Sequence, residues 1–211
     1  MCRAHGLVGD WRPDGWTVPR RPPRYHPDAV TLRPDADDRL LSRIDATAGA
    51  TVKDSFATLD LTGHGFQVLF EAAWIHRAPS AHRPPGAGRG PGDAVTATEV
   101  GTPPELATWA AAHGGGDVFR PALLTDPAVT VLAVRDSAGT LLGGAVVSRG
   151  TEVAGLSNVF TTVGPPDRVW RAVLAHLPGV PLVGYESGDD LAAAERAGFR
   201  PIGPLRVWLR S

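Results

Sequence analysis

Residues 181–199 read PLVGYESGDDLAAAERAGF. The run Pro181–Glu186 is short, apolar and bounded by turn residues, which is typical of a buried strand. Ser187 stands at the N-cap position of a predicted helix over Gly188–Ala197, and a capping-box acid follows three residues later. Gly198 ends that helix, because glycine accepts the left-handed conformation of a helix C-terminus. This stretch therefore predicts a strand, a helix and a following strand.

The residues upstream continue this alternation of strands and helices. Pro166–Leu177 carries apolar residues at helical spacing on one side, and three alternating apolar runs precede it. The predicted strands are Val95–Val100, Val129–Asp136, Leu141–Ser148, Glu152–Thr161, Pro181–Glu186, Phe199–Ile202 and Leu205–Leu209, and the other predicted helices are Pro103–His113 and Phe119–Leu124. Their order, β-α-α-β-β-β-α-β-α-β-β, predicts a mixed α/β fold with a partly antiparallel sheet.

The first third of the chain predicts a smaller part of the molecule. We expect a short helix near Asp35–Ala48, with Leu40, Leu41 and Ile44 on one side. Two β-rich runs follow, Thr51–Leu61 and Phe66–Arg77, and the residues Thr62–Gly65 between them suit a hairpin turn. Residues 1–28 contain five prolines and predict an extended or mobile arm. The Pro- and Gly-rich residues 78–92 predict a flexible linker between residues 29–77 and a larger domain at 93–211.

The composition excludes several classes of protein. The 211 residues are 43% apolar and 20% charged, with a net charge of −1, which suits a packed core and argues against a nucleic-acid-binding protein. No run approaches the roughly 20 apolar residues of a membrane span, and no secretory signal is recognisable, so we expect a cytoplasmic protein. Cys2 is the only cysteine and no ligand pair has metal spacing, so no metal site is predicted. Lys53 is the only lysine among 21 basic residues, which indicates a GC-rich bacterial genome.

The element order, the helix end Ala194-Glu195-Arg196-Ala197-Gly198-Phe199 and a closing hairpin resemble the GCN5-related N-acetyltransferases. The resemblance covers about residues 93–211, and it implies the acyl-coenzyme A N-acyltransferase fold with an N-terminal helix–hairpin extension. It also implies transfer of an acetyl or other acyl group from coenzyme A to an amine. Phe66–Arg77 itself looks like the final strands, so residues 29–77 are either a remnant of a second such half or similar by chance.

In that family, acyl-coenzyme A lies where the strand resembling Glu152–Thr161 parts from the strand resembling Pro181–Glu186. The resemblance implies that backbone groups in the gap pair with the pantetheine arm and that the pyrophosphate sits on the next helix start. Ser157 and Asn158 lie midway along the first strand, where they are candidates for binding the acceptor. The implied cofactor-binding residues are Val159, Phe160, Thr161, Gly164, Arg168, Val169 and Arg171.

The pyrophosphate loop departs from the family pattern. Arg168 and Trp170 stand where the family has glycines, and Pro165 and Pro166 have no N–H group to offer an anion. Asp167 would repel a phosphate, whereas Arg168 and Arg171 would attract one. The same residues also fit a plain helix start with solvated arginines.

A second departure concerns proton transfer. Many relatives have a tyrosine at the position of Ala194, so another group must serve here. Tyr185 and Glu186 end one strand beside the expected gap, and Glu152 opens the neighbouring strand. A phenol can protonate a departing thiolate and a carboxylate can deprotonate an ammonium. Since neighbouring strand residues face opposite ways, Tyr185 and Glu186 do not both face the reaction.

Two functions follow from these residues. The first is an N-acetyltransferase that uses acetyl-coenzyme A and a small-molecule or peptide amine, with no metal, no membrane and no nucleic acid. The second is a binding or interaction module with the same fold that has lost coenzyme A. The acceptor and the oligomeric state, including a homodimer, stay open at this stage. His113 and His176 end helices, where a cation suits the helix dipole, and we give neither a catalytic role.

Overall fold

The computed structural model of the protein describes residues 1–79 and 94–211. Most of the predicted linker, 78–92, lies outside the described residues. The described chain forms two compact units, one made of Met1–Trp74 with Gly203–Ser211 and the other of Ile75–Ile202. The last nine residues of the domain predicted at 93–211 therefore belong to the first unit. None of the described helices is long and apolar enough to cross a membrane.

The helices and strands follow the predicted order closely in the second half of the chain. The strands are β1 (Asp10–Trp11), β2 (Gly15–Thr17), β3 (Ala29–Thr31), β4 (Thr51–Asp54), β5 (Phe66–Arg77), β6 (Thr96–Glu99), β7 (Val129–Arg135), β8 (Leu141–Arg149), β9 (Ala154–Thr161), β10 (Leu182–Glu186) and β11 (Arg200–Arg210). The helices are α1 (Pro103–His113), α2 (Pro166–His176) and α3 (Gly188–Arg196). Short 3-10 helices lie at Cys2–His5, Asp38–Arg43, Thr62–His64, Gly116–Val118 and Pro121–Thr125.

The second unit is built on a sheet with the strand order β10-β9-β8-β7-β6. The pairs from β6 to β9 are antiparallel, whereas β9 and β10 are parallel. Helices α2 and α3 cover one face of this sheet, where Val173 and Leu182 belong to one buried cluster. Helix α1 covers the other face, and its Trp109 indole donates a hydrogen bond of 2.9 Å to the Leu132 carbonyl. Gly144 makes this possible, because a Cβ there would collide with the Trp109 ring.

The first unit has a sheet in which β1, β2, β3, β4 and β11 lie side by side. Only β3 and β4 are parallel among these neighbours. Its core contains Leu40, Val52, Phe66 and Trp208. Residues 1–28, predicted as an extended or mobile arm, contribute β1 and β2 to this sheet, and Val18 is fully buried.

Three local predictions in the first unit and at the chain end are wrong. The hairpin of Thr51–Leu61 with Phe66–Arg77 does not form, because β11 pairs with β4 and lies between β4 and β5. The helix expected at Asp35–Ala48 is a six-residue 3-10 turn, Asp38–Arg43. The two closing strands are one strand, β11, whose prolines fall in its exposed first half. The idea that residues 29–77 are a remnant half stays a prediction.

The first of the two β-rich runs ends early for a local reason. The buried Asp54 carboxylate accepts hydrogen bonds from the backbone N–H groups of Phe56 at 3.2 Å and Leu59 at 2.8 Å. These bonds hold the chain in a turn directly after β4. The Thr31 hydroxyl donates to the same carboxylate at 3.2 Å. Residues 55–61 are therefore a loop folded around Asp54 and not a strand.

The starts of α1 and α3 differ in capping. Thr102 accepts a hydrogen bond from the Glu105 N–H, and the Glu105 carboxylate accepts one from the Thr102 N–H at 3.0 Å, so α1 has a complete capping box. Ser187 precedes α3 without any side-chain cap bond, contrary to the capping box predicted there. The reason is Gly188, whose φ of +52° delays regular helical backbone by one residue.

We expect Thr102→Ala to lower the free energy of unfolding by about 1 kcal/mol, because the hydroxyl that accepts the Glu105 N–H is lost. Ser187→Ala is the matched control in the same unit and should leave the free energy unchanged, since its hydroxyl makes no cap bond. Urea unfolding of the two variants beside the unchanged protein measures both values. Equal losses in the two variants would contradict this account of the caps.

Candidate functional site

A slot opens between the two parallel strands of the second unit. Within the described chain, β9 and β10 pair at only two positions, Leu182 with Ala154 and Val183 with Gly155. Beyond these pairs β9 runs on to Thr161 and β10 to Glu186 with no further ladder. The expected divergence of these strands is confirmed. Backbone N–H and C=O groups along the slot are thus available to a ligand.

The slot exists because β9 carries a bulge. Against β8, Phe160 pairs with Gly144 and Ser157 with Val146, so β9 has one residue more than its partner between these pairs. Asn158 occupies the bulge with a φ of +53°, a left-handed conformation that asparagine tolerates well. A bulge bends its strand and increases the local twist, which draws β9 away from β10.

A glycine closes the narrow end of the slot. A Cβ at Gly184 would lie only 2.7 Å from the Leu156 carbonyl oxygen, so no larger residue fits where the two strands begin to part. Ser157 and Asn158 lie just beyond this point, and the Asn158 amide donates a hydrogen bond to the Ser157 hydroxyl at 3.1 Å. The two residues predicted to bind the acceptor are therefore hydrogen-bonded to each other at the bulge, where the slot begins.

Tyr185 and Glu186 end β10 at the wide end of the slot. Alternation along the strand places Glu186 on the face of Leu182, beneath α2 and α3, and Tyr185 on the face of α1. Burial, together with the negative charge of Asp190, raises the pKa of Glu186 to about 7. Burial also raises the pKa of Tyr185, and Glu186 adds to the effect. A carboxyl group that titrates near neutral pH and a protonated phenol thus end the same strand on its two opposite faces.

Glu152 is not part of this arrangement. It is exposed in the tight turn between β8 and β9, where the Gly150 N–H donates to the Val153 carbonyl at 3.0 Å. Because β9 and β10 are parallel, this turn lies at the opposite end of β9 from the one that faces Glu186. Glu152 is therefore dropped from the catalytic candidates.

The structure matches solved N-acetyltransferases over nearly its whole length. A GCN5-related N-acetyltransferase from Kribbella flavida is 16% identical, with 97% of this chain and 89% of that chain covered and a TM-score of 0.63. A GCN5-related N-acetyltransferase-like protein from Streptococcus suis is 13% identical, with 98% and 90% covered and a TM-score of 0.57. A putative GNAT-family acetyltransferase from Novosphingobium aromaticivorans is 17% identical, with 97% and 92% covered and a TM-score of 0.56. No protein-family model and no curated protein matches the sequence.

The chain has the fold of the GCN5-related N-acetyltransferases. The predicted fold class, a mixed α/β sheet of this type, is confirmed. The slot between β9 and β10 is where the resemblance placed the acyl-coenzyme A of such proteins. Within residues 1–79 and 94–211, no group of three or more His, Cys, Asp or Glu side chains is placed to hold a metal ion.

The predicted pyrophosphate loop of the N-acetyltransferase fold is only partly suited to an anion. Gly164 is exposed with a φ of +81°, as a phosphate loop requires. Pro165 and Pro166 supply no N–H group at the start of α2, and the Arg168 N–H donates to the Pro165 carbonyl at 3.1 Å. The carboxylate of Asp167 stays ionised and is paired with Arg196 of α3, which lies 3.0 Å away and lowers the pKa of Asp167.

The other predicted cofactor-binding residues divide between core and slot. Val169 is fully buried in the core, so only its backbone could approach a ligand. Val159 packs against the same core from β9, whereas Phe160 points to the α1 face. Thr161 is half-buried at the end of β9. Arg171 is exposed on α2, and its guanidinium donates to the Asp167 carbonyl at 3.1 Å.

An aromatic cluster on the α1 face was not predicted. The rings of Trp109 and His113 are stacked 5.3 Å apart, and the Phe119 and Phe160 rings meet both of them edge-on at 4.8–5.1 Å. Burial lowers the pKa of His113, so the ring is neutral at pH 7. The spacing of Trp109 and His113 by four residues on α1 is the sequence signal for their contact. This cluster ties the strand of the bulge to α1.

The raised pKa of Glu186 predicts a pH-dependent stability. From its ordinary value of 4.5 the pKa rises to about 7 on folding, so between these pH values the folded chain binds more protons than the unfolded chain. Glu186 therefore costs stability as the pH rises through this window, by at most about 3 kcal/mol. We therefore compare the free energy of unfolding of Glu186→Gln with that of the unchanged chain at each pH. We expect the variant to gain more stability over the unchanged chain at pH 8 than at pH 5.

Urea unfolding at the two pH values measures the effect. Glu152→Gln is the matched control, because Glu152 is exposed and its loss should leave the pH dependence unaltered. The assignment is wrong if Glu186→Gln shows the same pH dependence as the unchanged protein.

Proposed function

We propose that the protein is an acyltransferase that moves an acetyl or other acyl group from coenzyme A to the amine of a small molecule or peptide. The observation that carries this proposal is the slot, where β9 leaves β10 after two residue pairs. A pantetheine arm is slender and carries amide groups, so it can bond to the strand edges that the slot exposes. We place this acyltransferase in the cytoplasm.

Glu186 and Tyr185 are the residues we assign to proton transfer. With a pKa of about 7, Glu186 can take the proton that an ammonium must lose before its nitrogen attacks. The new C–N bond forms as the nitrogen adds to the thioester carbonyl, and the C–S bond then breaks. The Tyr185 hydroxyl gives its proton to the departing thiolate and recovers one from the amide nitrogen. The products are an amide and free coenzyme A.

Tyr185 and Glu186 point to opposite faces of β10, so only one of them contacts the reacting groups directly. Tyr185 lies on the α1 face together with Ser157 and Phe160, so a direct role suits it there. Glu186 lies on the other face, beneath α2 and α3, and would act through water. The remaining rate acceleration comes from holding the thioester and the amine next to each other, since alignment alone can lower a reaction barrier substantially.

The pyrophosphate loop supports a second candidate function. Pro165 and Pro166 remove two of the N–H groups that a helix start offers to an anion. A module with this fold that has lost coenzyme A and binds another partner would carry such a loop. The ion pair of Asp167 with Arg196 favours the enzyme. Because the negative charge of Asp167 is paired, it opposes less strongly the attraction of a phosphate to Arg168 and Arg171.

Calorimetric titration with acetyl-coenzyme A separates the two functions. We expect binding with a dissociation constant in the micromolar range, on the order of 10 µM. Arg168→Glu should weaken this binding about tenfold or more by placing a carboxylate at the pyrophosphate site. Arg149→Glu is the matched control, because Arg149 is exposed at the far end of β8, and it should bind as the unchanged protein does.

Two results would go against the enzyme. No binding at about 1 mM acetyl-coenzyme A would favour the non-catalytic module. Equal affinities for Arg168→Glu and Arg149→Glu would remove Arg168 from the site.

A further inference from the structure

The first unit contains a cavity of about 540 Å³. Its lining combines four arginines with three aspartates, and two small apolar residues and a serine complete it: Arg12, Arg33, Arg39, Arg43, Asp14, Asp35, Asp37, Pro13, Ala36 and Ser42. Small-molecule sites have volumes of about 300–1,000 Å³, so the cavity is large enough for a metabolite. Its charged lining selects a polar ligand and not an apolar one.

Three of the arginines are held by an aspartate two residues away. These pairs are Arg12 with Asp10 at 2.8 Å, Arg33 with Asp35 at 2.9 Å and Arg39 with Asp37 at 2.7 Å. Their hydrogen bonds use the Nε edge of each guanidinium and leave at least one Nη group of each arginine without a partner among the described residues. Because the nearby carboxylates are already paired with arginines, the groups that a ligand can contact are the N–H groups of the guanidiniums.

Arg43 is the least exposed member of this set. Its side chain is 14% exposed, and its Nη2 donates to the Asp14 carboxylate at 2.6 Å. Its Nη1 is buried and finds no acceptor among the described protein atoms. A buried charged donor without an acceptor costs free energy. Solvent does not reach this atom, so Arg43 contributes its positive charge, and the direct contacts to a ligand come from the Nη groups of the three exposed arginines.

We propose that this cavity binds a small molecule that carries two or more oxyanion groups, either phosphate or carboxylate. The planar guanidinium fork matches both groups through paired N–H···O bonds. The four guanidinium groups around one cavity suit a ligand with several anionic groups better than a single small anion. The cavity is lined by residues of the first unit and the slot is formed by residues of the second, so this site shares no residue with the proposed acyltransferase site.

Calorimetry on the full chain tests the site, with pyrophosphate and citrate as probes in buffers of equal ionic strength. We expect one or both to bind with a dissociation constant below about 1 mM. Binding of pyrophosphate alone assigns the site to phosphates, and binding of citrate alone assigns it to carboxylates. Arg39→Gln should weaken the binding about tenfold or more, and because its side chain is 86% exposed, this variant should fold normally.

Two further variants make the result specific. Arg43→Gln should also weaken binding about tenfold, and circular dichroism shows whether the variant still folds once the ion pair with Asp14 is lost. Arg168→Glu should bind the probe as the unchanged protein does, which separates this cavity from the loop before α2. The proposal is overturned if neither probe binds at about 10 mM, or if Arg39→Gln binds the probe as tightly as the unchanged protein does.

Discussion

The extra residue that Asn158 places in β9 is the constraint on which the site depends. Without the bulge, β9 would keep step with both neighbours and its hydrogen bonds to β10 would continue along the shared length. With it, the ladder stops after Gly155 and the two strands part. Gly184 then permits the close approach at the narrow end. One left-handed residue and one missing side chain thus convert a continuous sheet into a slot.

The burial that shapes the slot also tunes its chemistry. Glu186 ends β10 among buried neighbours, so its charged form is disfavoured and its pKa rises to about 7. The same burial raises the pKa of Tyr185 above its ordinary value. The start of α2 works in the other direction, since Pro165 and Pro166 withhold N–H groups that an anion would use. The fold therefore prepares proton transfer more fully than phosphate binding.

The first unit shows how a late part of the chain reorganises an early one. Strand β11 enters between β4 and β5, and its Trp208 completes the core around Leu40 and Val52. Local charge pairs then dominate the surface near the 3-10 turn Asp38–Arg43, where each exposed arginine is held by an aspartate close in sequence. Arg43 is the least exposed of these arginines, and its carboxylate partner comes from a loop 29 residues away.

The sequence by itself determined the elements of the second unit, because helices such as Pro103–His113 and strands such as Leu141–Ser148 follow from local periodicity, caps and turns. It also placed Tyr185 and Glu186 at a strand end. It did not determine which strand pairs with which in the first unit: Phe66–Arg77 looked like the partner of Thr51–Leu61, yet β11 separates them. Only the tertiary structure decided that pairing. It also decided that Glu152 lies at the far end of β9 from Glu186 and that four arginines line one cavity. Each of these features depends on contacts between residues distant in the chain, which local patterns do not encode.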